Sequence, residues 1–143
     1  MIAIVDYGAG NLQSVHKALN YIGVKSQISS DGNFILSANG VILPGVGSFE
    51  DAMNCMKKSG LLESVKKAAL SGKPFLGICL GLQLLFEHSE ESPGAAGLGI
   101  LKGKIRKIPA CEVKVPHMGW NSLDIKKNEG IFKGIKQGTY VYF

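Results

Sequence analysis

The sequence predicts an α/β domain, with a mostly parallel central sheet flanked by helices and short antiparallel strands in its C-terminal part. Two observations carry this reading. Three short runs, at residues 2–5, 41–43 and 75–78, are apolar at every position rather than at every second one, the pattern of strands covered on both faces. Each leads through a glycine-bearing loop into residues whose apolar positions recur at helical spacing, and that alternation belongs to parallel α/β architecture.

Taken in order, the run at 2–5 is followed by Asn11, placed to cap a helix whose Leu12, Val15, Leu19 and Ile22 share a face. Gly23 closes that helix and residues 24–28 make a second strand. The third strand, 41–43, runs into Pro44-Gly45-Val46-Gly47. Ser48 and Asp51 resemble a capping box with Asp in place of Glu, opening a helix striped by Phe49, Met53 and Met56 that ends before Gly60. Leu62, Val65 and Ala69 continue as a further helix, stopped at Gly72 with Pro74 just beyond. Residues 75–78 form the next buried strand, and the apolar run 82–86 is the helix after it. From Gly94 the pattern changes. Glycines at 94, 97, 99 and 103 precede short segments at 104–108, 121–125 and 139–143, which read as hairpin strands.

A chain of 143 residues, 45% hydrophobic and 19% charged, supports one core and one domain over 1–143. The longest nearly apolar stretch, 75–86, is broken by Gln83 and falls short of the roughly 20 residues a membrane-spanning helix needs. The amino terminus meets Asp6 after five apolar residues, with no basic leader, so the cytoplasm is the default compartment. Three cysteines without a CxxC pair argue against disulfide and metal scaffolds, and neither a metal nor a cofactor is expected. The net charge of +5 is uneven: residues 1–100 hold seven basic residues against eight acids, residues 101–143 nine against three. The basic residues are scattered and not interleaved with aromatics, so a solvated face is favoured over a nucleic-acid site.

The strongest chemical signal is Gly77-Ile78-Cys79-Leu80-Gly81, between a strand and a helical run. A sharp strand-to-helix turn lifts a nucleophile above the sheet, and glycines two residues to either side let it pack against neighbouring backbone. A helix N-terminus beneath the sulfur favours thiolate. By itself the same pattern also fits an inert cysteine between packing glycines. Pro44-Gly45-Val46-Gly47-Ser48 is a second strand-to-helix loop at a carboxyl end of the sheet, where N–H groups can hold an oxyanion or a phosphate, or simply form a tight turn. Asp6-Tyr7-Gly8-Ala9-Gly10-Asn11 invites a dinucleotide reading, yet Gln13 stands where the third small residue belongs; a plain glycine turn is favoured.

Those three stretches, with Gln83 completing the elbow motif, and Pro116-His117-Met118-Gly119-Trp120-Asn121 together resemble the glutaminase subunits of imidazole glycerol phosphate synthases, within the class I amidotransferases. The match runs the whole chain; the cysteine elbow is shared by all class I amidotransferases, whereas Asp6–Asn11 and Pro116–Asn121 are characteristic of that group. The resemblance implies a flavodoxin-like class I amidotransferase fold and hydrolysis of L-glutamine, with Cys79 attacking the carboxamide. It implies that Gly45, Val46 and Gly47 supply the oxyanion site and that Gln83 and Glu91 hold the glutamine. The ammonia would pass to a barrel-shaped cyclase subunit, in a heterodimer serving histidine biosynthesis, with Pro116, His117, Met118, Trp120 and Asn121 facing that partner.

The family's base and orienting carboxylate come from a His-Pro-Glu motif near the carboxyl terminus, and these 143 residues contain none. The expectation is a domain cut short at its C-terminus, whose 143 residues are inactive. His88 is expected about 13 Å along the elbow helix from Cys79, too far to serve as base. His16 is expected at the surface and His117 at the interface. Two alternatives stay open: an amidotransferase feeding a nucleotide-sugar or other acceptor synthase, and a catalytically inactive partner-binding module.

Overall fold

A computed structural model of the chain describes residues 1–109 and 115–143. These residues divide into two compact units, Met1–Lys107 and Ile108–Phe143. The division has a simple physical source. None of the described residues of the second unit is buried, so among them that unit has no core of its own.

The first unit is built on four parallel strands, β1 (Ile2–Val5), β2 (Ser26–Ser29), β3 (Gly40–Gly45) and β4 (Phe75–Cys79), in the order β2-β1-β3-β4. Helix α1 (Leu12–Tyr21) starts where Asn11 Oδ1 accepts from Ser14 N–H at 3.3 Å. It ends in paired bonds from Gly23 N–H to Asn20 O and from Val24 N–H to Leu19 O, 3.0 and 2.9 Å, a left-handed exit through Gly23 at φ +75°. Helix α2 (Gly32–Ser37) was not expected. Asp31 Oδ1 accepts from Asn33 N–H at 2.8 Å at its start, and Lys73 Nζ donates to Leu36 O and Ala38 O at its end. Helix α3 (Phe49–Lys58) follows β3, and helix α4 (Leu62–Leu70) leads to β4. At the start of α3 the Ser48 hydroxyl accepts from Asp51 N–H at 3.3 Å and donates to Asp51 Oδ2 at 2.7 Å, so the capping pair closes through the hydroxyl.

One face of the sheet carries the core. Ala3, Val5, Val41 and Leu43 pack with Ile35 of α2, Phe49, Met53 and Met56 of α3, and Val65 and Ala68 of α4. The other face is covered only in part. Val15, Leu19 and Ile22 along α1 line an apolar groove whose floor is Ile42, Leu76 and Ile78, and Leu76 and Ile78 remain 44% and 37% exposed. The expectation of a sheet covered on both faces therefore fails at β4, an edge strand among the described residues.

Two further corrections concern the chain after β4. Helix α5 is a single turn, Leu80–Gln83, rather than a helix through Phe86. The carbonyls of Leu84, Leu85 and Phe86 are occupied by a crossing segment instead: Leu98 N–H, Ile100 N–H and Gly99 N–H donate to them at 2.8, 2.9 and 3.2 Å. Leu84 turns fully into the core, so burial outweighs the continuation of an apolar helix. The segment at 104–108 is no hairpin strand either. Only β6 (Lys104–Ile105) forms, and it pairs in parallel with β5 (His88–Ser89). His88 thus lies on a strand and not on the elbow helix. In the second unit β7 (Trp120–Ser122) and β8 (Tyr140–Tyr142) pair antiparallel, in register from Trp120 opposite Tyr142 to Ser122 opposite Tyr140, as the C-terminal pattern suggests.

Candidate active site

Cys79 ends β4 and sits at φ +55°, ψ −118°, the only non-glycine residue with positive φ among those described. Such a backbone costs on the order of 1–3 kcal/mol and persists only where its surroundings dictate it. Here they do. A Cβ on Gly81 would lie 1.8 Å from Leu43 O, one on Gly77 2.6 Å from Leu82 Cα, and one on Gly45 2.5 Å from Gly81 N. The turn from β4 into α5 is therefore pressed directly onto the backbone of β3, with no room for side chains between. The chain can make that approach only by reversing sharply at Cys79, and the reversal leaves the cysteine exposed at the carboxyl end of the sheet. The first N–H groups of α5 have no partners within the helix, and they begin at the residue after the sulfur.

Gly45 stands opposite Cys79 in the parallel ladder, so the loop that β3 feeds begins beside the cysteine. Pro44 and Gly45 are buried, whereas Val46 and Gly47 are exposed. Gln83 lies one turn along α5 from Cys79, at the spacing that shares a helix face, and is half-buried. Glu91 reaches the same end of the sheet from the segment after β5: its Oε2 accepts from Phe49 N–H, the first N–H of α3, at 3.2 Å. Cys79, Gly45, Val46, Gly47 and Glu91 thus gather around two strand-to-helix turns. Cys55 is half-buried on α3, and Cys111 lies outside the described residues.

A contact that sequence reasoning passed over joins this end of the sheet from a third loop. Tyr7, buried in the turn after β1, donates its hydroxyl to Pro44 O at 2.9 Å. Burial, with the nearby Cys55 adding to it, pushes the Tyr7 phenol up to about 12, so it remains a donor. The available signal was an aromatic residue inside a glycine-rich turn at a carboxyl strand end.

Of the histidines, His16 is tied into α1, its ring nitrogens 2.9 Å from Ser26 Oγ and 3.1 Å from Asn20 Nδ2. His117 belongs to the second unit, 5.4 Å from the Phe143 ring. Nearby Trp120 packs edge-on against Tyr142 at 5.7 Å, yet Trp120 and Met118 stay 70% and 71% exposed. The second unit therefore presents its tryptophan at the surface.

The family model for glutamine amidotransferase class-I matches residues 3–143. Imidazole glycerol phosphate synthase subunit HisH of Caldanaerobacter subterraneus subsp. tengcongensis is 53% identical over 143 residues, which are 100% of this chain and 70% of the relative. The HisH subunit of Methanosarcina acetivorans is 49% identical over 142 residues, 99% of this chain and 69% of the relative. A solved structure described as a glutamine amidotransferase superposes with a TM-score of 0.74 over 100% of this chain and 70% of its own, at 17% identity, and so bears on the fold alone. With the cysteine elbow in place and identity near one half sustained along the chain, the chain belongs to the class-I glutamine amidotransferase family, in its group of HisH subunits.

Proposed function

We propose that this chain is a HisH-type glutaminase subunit in which the Cys79 thiolate attacks the carboxamide carbon of L-glutamine. The C–N bond breaks as the departing nitrogen takes up a proton, ammonia leaves, and water hydrolyses the thioester to glutamate and free thiol. The observation that carries this reading is the strained, exposed Cys79 in register with Gly45, which sets a nucleophile beside a loop of potential oxyanion donors. Gln83, one turn from the sulfur, and Glu91, at the start of α3, are suited to holding the amino-acid end of glutamine. The ammonia then passes to a barrel-shaped cyclase subunit of the histidine pathway. The exposed Met118 and Trp120, with Pro116, His117 and Asn121, supply the face for that partner.

These 143 residues contain no His-Pro-Glu stretch, and we propose that residues 1–143 alone therefore turn glutamine over poorly even beside the partner. Two measurements test the proposals. A glutamine-analogue electrophile should modify Cys79, and an adduct on Cys55 or Cys111 in its place would remove the assignment. Glutamate release by residues 1–143 with the cyclase subunit should fall orders of magnitude below that of a chain extended through a His-Pro-Glu motif. Equal turnover would overturn the claim of inactivity and leave the Cys79 assignment standing.

A further inference from the structure

The loop proposed to hold the oxyanion is gripped from two sides at its first residue. On one side Tyr7 O–H donates to Pro44 O at 2.9 Å, from a position only 2% exposed. The turn that presents Tyr7 is closed by Asp6 Oδ1 accepting from Gly8 N–H at 3.1 Å. Gly10 of the same turn lies so near that a Cβ there would sit 3.3 Å from Pro44 Cβ. On the other side the elbow presses on the same stretch, since a Cβ on Gly81 would meet the carbonyl carbon of Pro44 at 3.1 Å.

A peptide unit is planar, so fixing the direction of the Pro44 carbonyl fixes the opposite direction of Gly45 N–H, from which the rest of the loop starts. A flip of that peptide would leave a buried phenol without its acceptor, a cost of about 1–3 kcal/mol. We propose that Tyr7 is a positioning residue for the thiol chemistry: its hydroxyl locks the Pro44–Gly45 peptide and so anchors, beside Cys79, the start of the loop that carries the Gly45, Val46 and Gly47 N–H groups. The inference deepens the glutaminase reading and rests on it. It also gives the Asp6-to-Asn11 turn, otherwise a plain strand-to-helix connection, a task at the site.

Tyr7→Phe in residues 1–143 removes one hydroxyl and tests the idea with two readouts. Amide hydrogen exchange at Gly45, Val46 and Gly47 should quicken about tenfold, the equivalent of one lost hydrogen bond, while the β1 amides of Ile4 and Val5 hold their protection. Inactivation by a glutamine-analogue electrophile at saturation should slow about tenfold, and alkylation by iodoacetamide, which needs no oxyanion donors, should stay unchanged. Unchanged loop exchange in a folded variant overturns the proposal. So does an equal slowing of both reagents, the signature of a merely disturbed fold. If the unsubstituted chain fails to take the analogue, the analogue-labelling prediction for residues 1–143 has failed, and the exchange comparison still decides whether Tyr7 holds the loop. If the Phe variant does not fold, 3,5-difluorotyrosine at position 7, with its more acidic phenol, replaces it. The loop's protection, taken relative to the intrinsic exchange rate at each pH, should then fall as that phenol ionises, and protection that stays constant overturns the proposal.

Discussion

At the scale of single residues, the site stores strain where it places its reactive atom. Cys79 holds a backbone that glycine adopts freely, so Cys79→Gly should gain about 1 kcal/mol in urea unfolding while losing all labelling by the glutamine analogue. A loss of stability would show that the turn is not strained. Tyr7 makes a second residue-scale prediction, in pH. Its folded pKa, about 12, lies above the phenol's ordinary value of 10.0, so the stability it lends is complete below pH 10 and disappears as pH rises from 10 through 12. Stability should accordingly drop over that window, and Tyr7→Phe should flatten the drop in unfolding measured from pH 9 to 12. The elbow was legible because its glycines are forced by sterics that act two residues either side of the nucleophile. The Tyr7 bond was not, because its partner lies 37 positions away and nothing local demands it.

At the scale of elements, the same division between local and distant causes recurs. Helices α1 and α3 were legible from Asn11 and Ser48, whose side chains accept from N–H groups three residues on. Helix α2 was missed because six residues give too few apolar repeats, and its far end is completed by Lys73 from another part of the chain. The end of α5 at Gln83 depends on the segment containing Leu98 and Ile100, which no window around the elbow includes. Strand β4 reads as buried for a related reason: its composition suits a covered strand, but the groove beside α1 leaves Leu76 and Ile78 exposed. An apolar edge strand invites pairing with another chain. Leu76→Lys should therefore lower light scattering of concentrated residues 1–143 with little change in the unfolding midpoint. Unchanged scattering would place the sticky surface elsewhere.

At the scale of the whole molecule, the two units differ in what holds them. The first has a core of fully buried Phe49, Ile4, Leu43, Met53 and Met56, and the second, among its described residues, has none. Large exposed aromatics on a unit without a core suit contact with another protein, and such anchors dominate interface energetics. In a chain assembled with the cyclase subunit proposed as its partner, Trp120→Ala should weaken association by about 2 kcal/mol or more without shifting the unfolding of the first unit. Loss of folding with no selective loss of affinity would count against the interface. The position of Trp120 also decides what light can report. It is the chain's only tryptophan, it is 70% exposed, and it lies outside the unit that carries the sheet. Its emission should already be that of a solvated indole in the native protein, so a fluorescence melt is nearly blind to the loss of the parallel sheet, which circular dichroism follows. Coming out of water against a partner, the same indole should shift to the blue, turning a poor stability probe into a built-in titration signal for assembly.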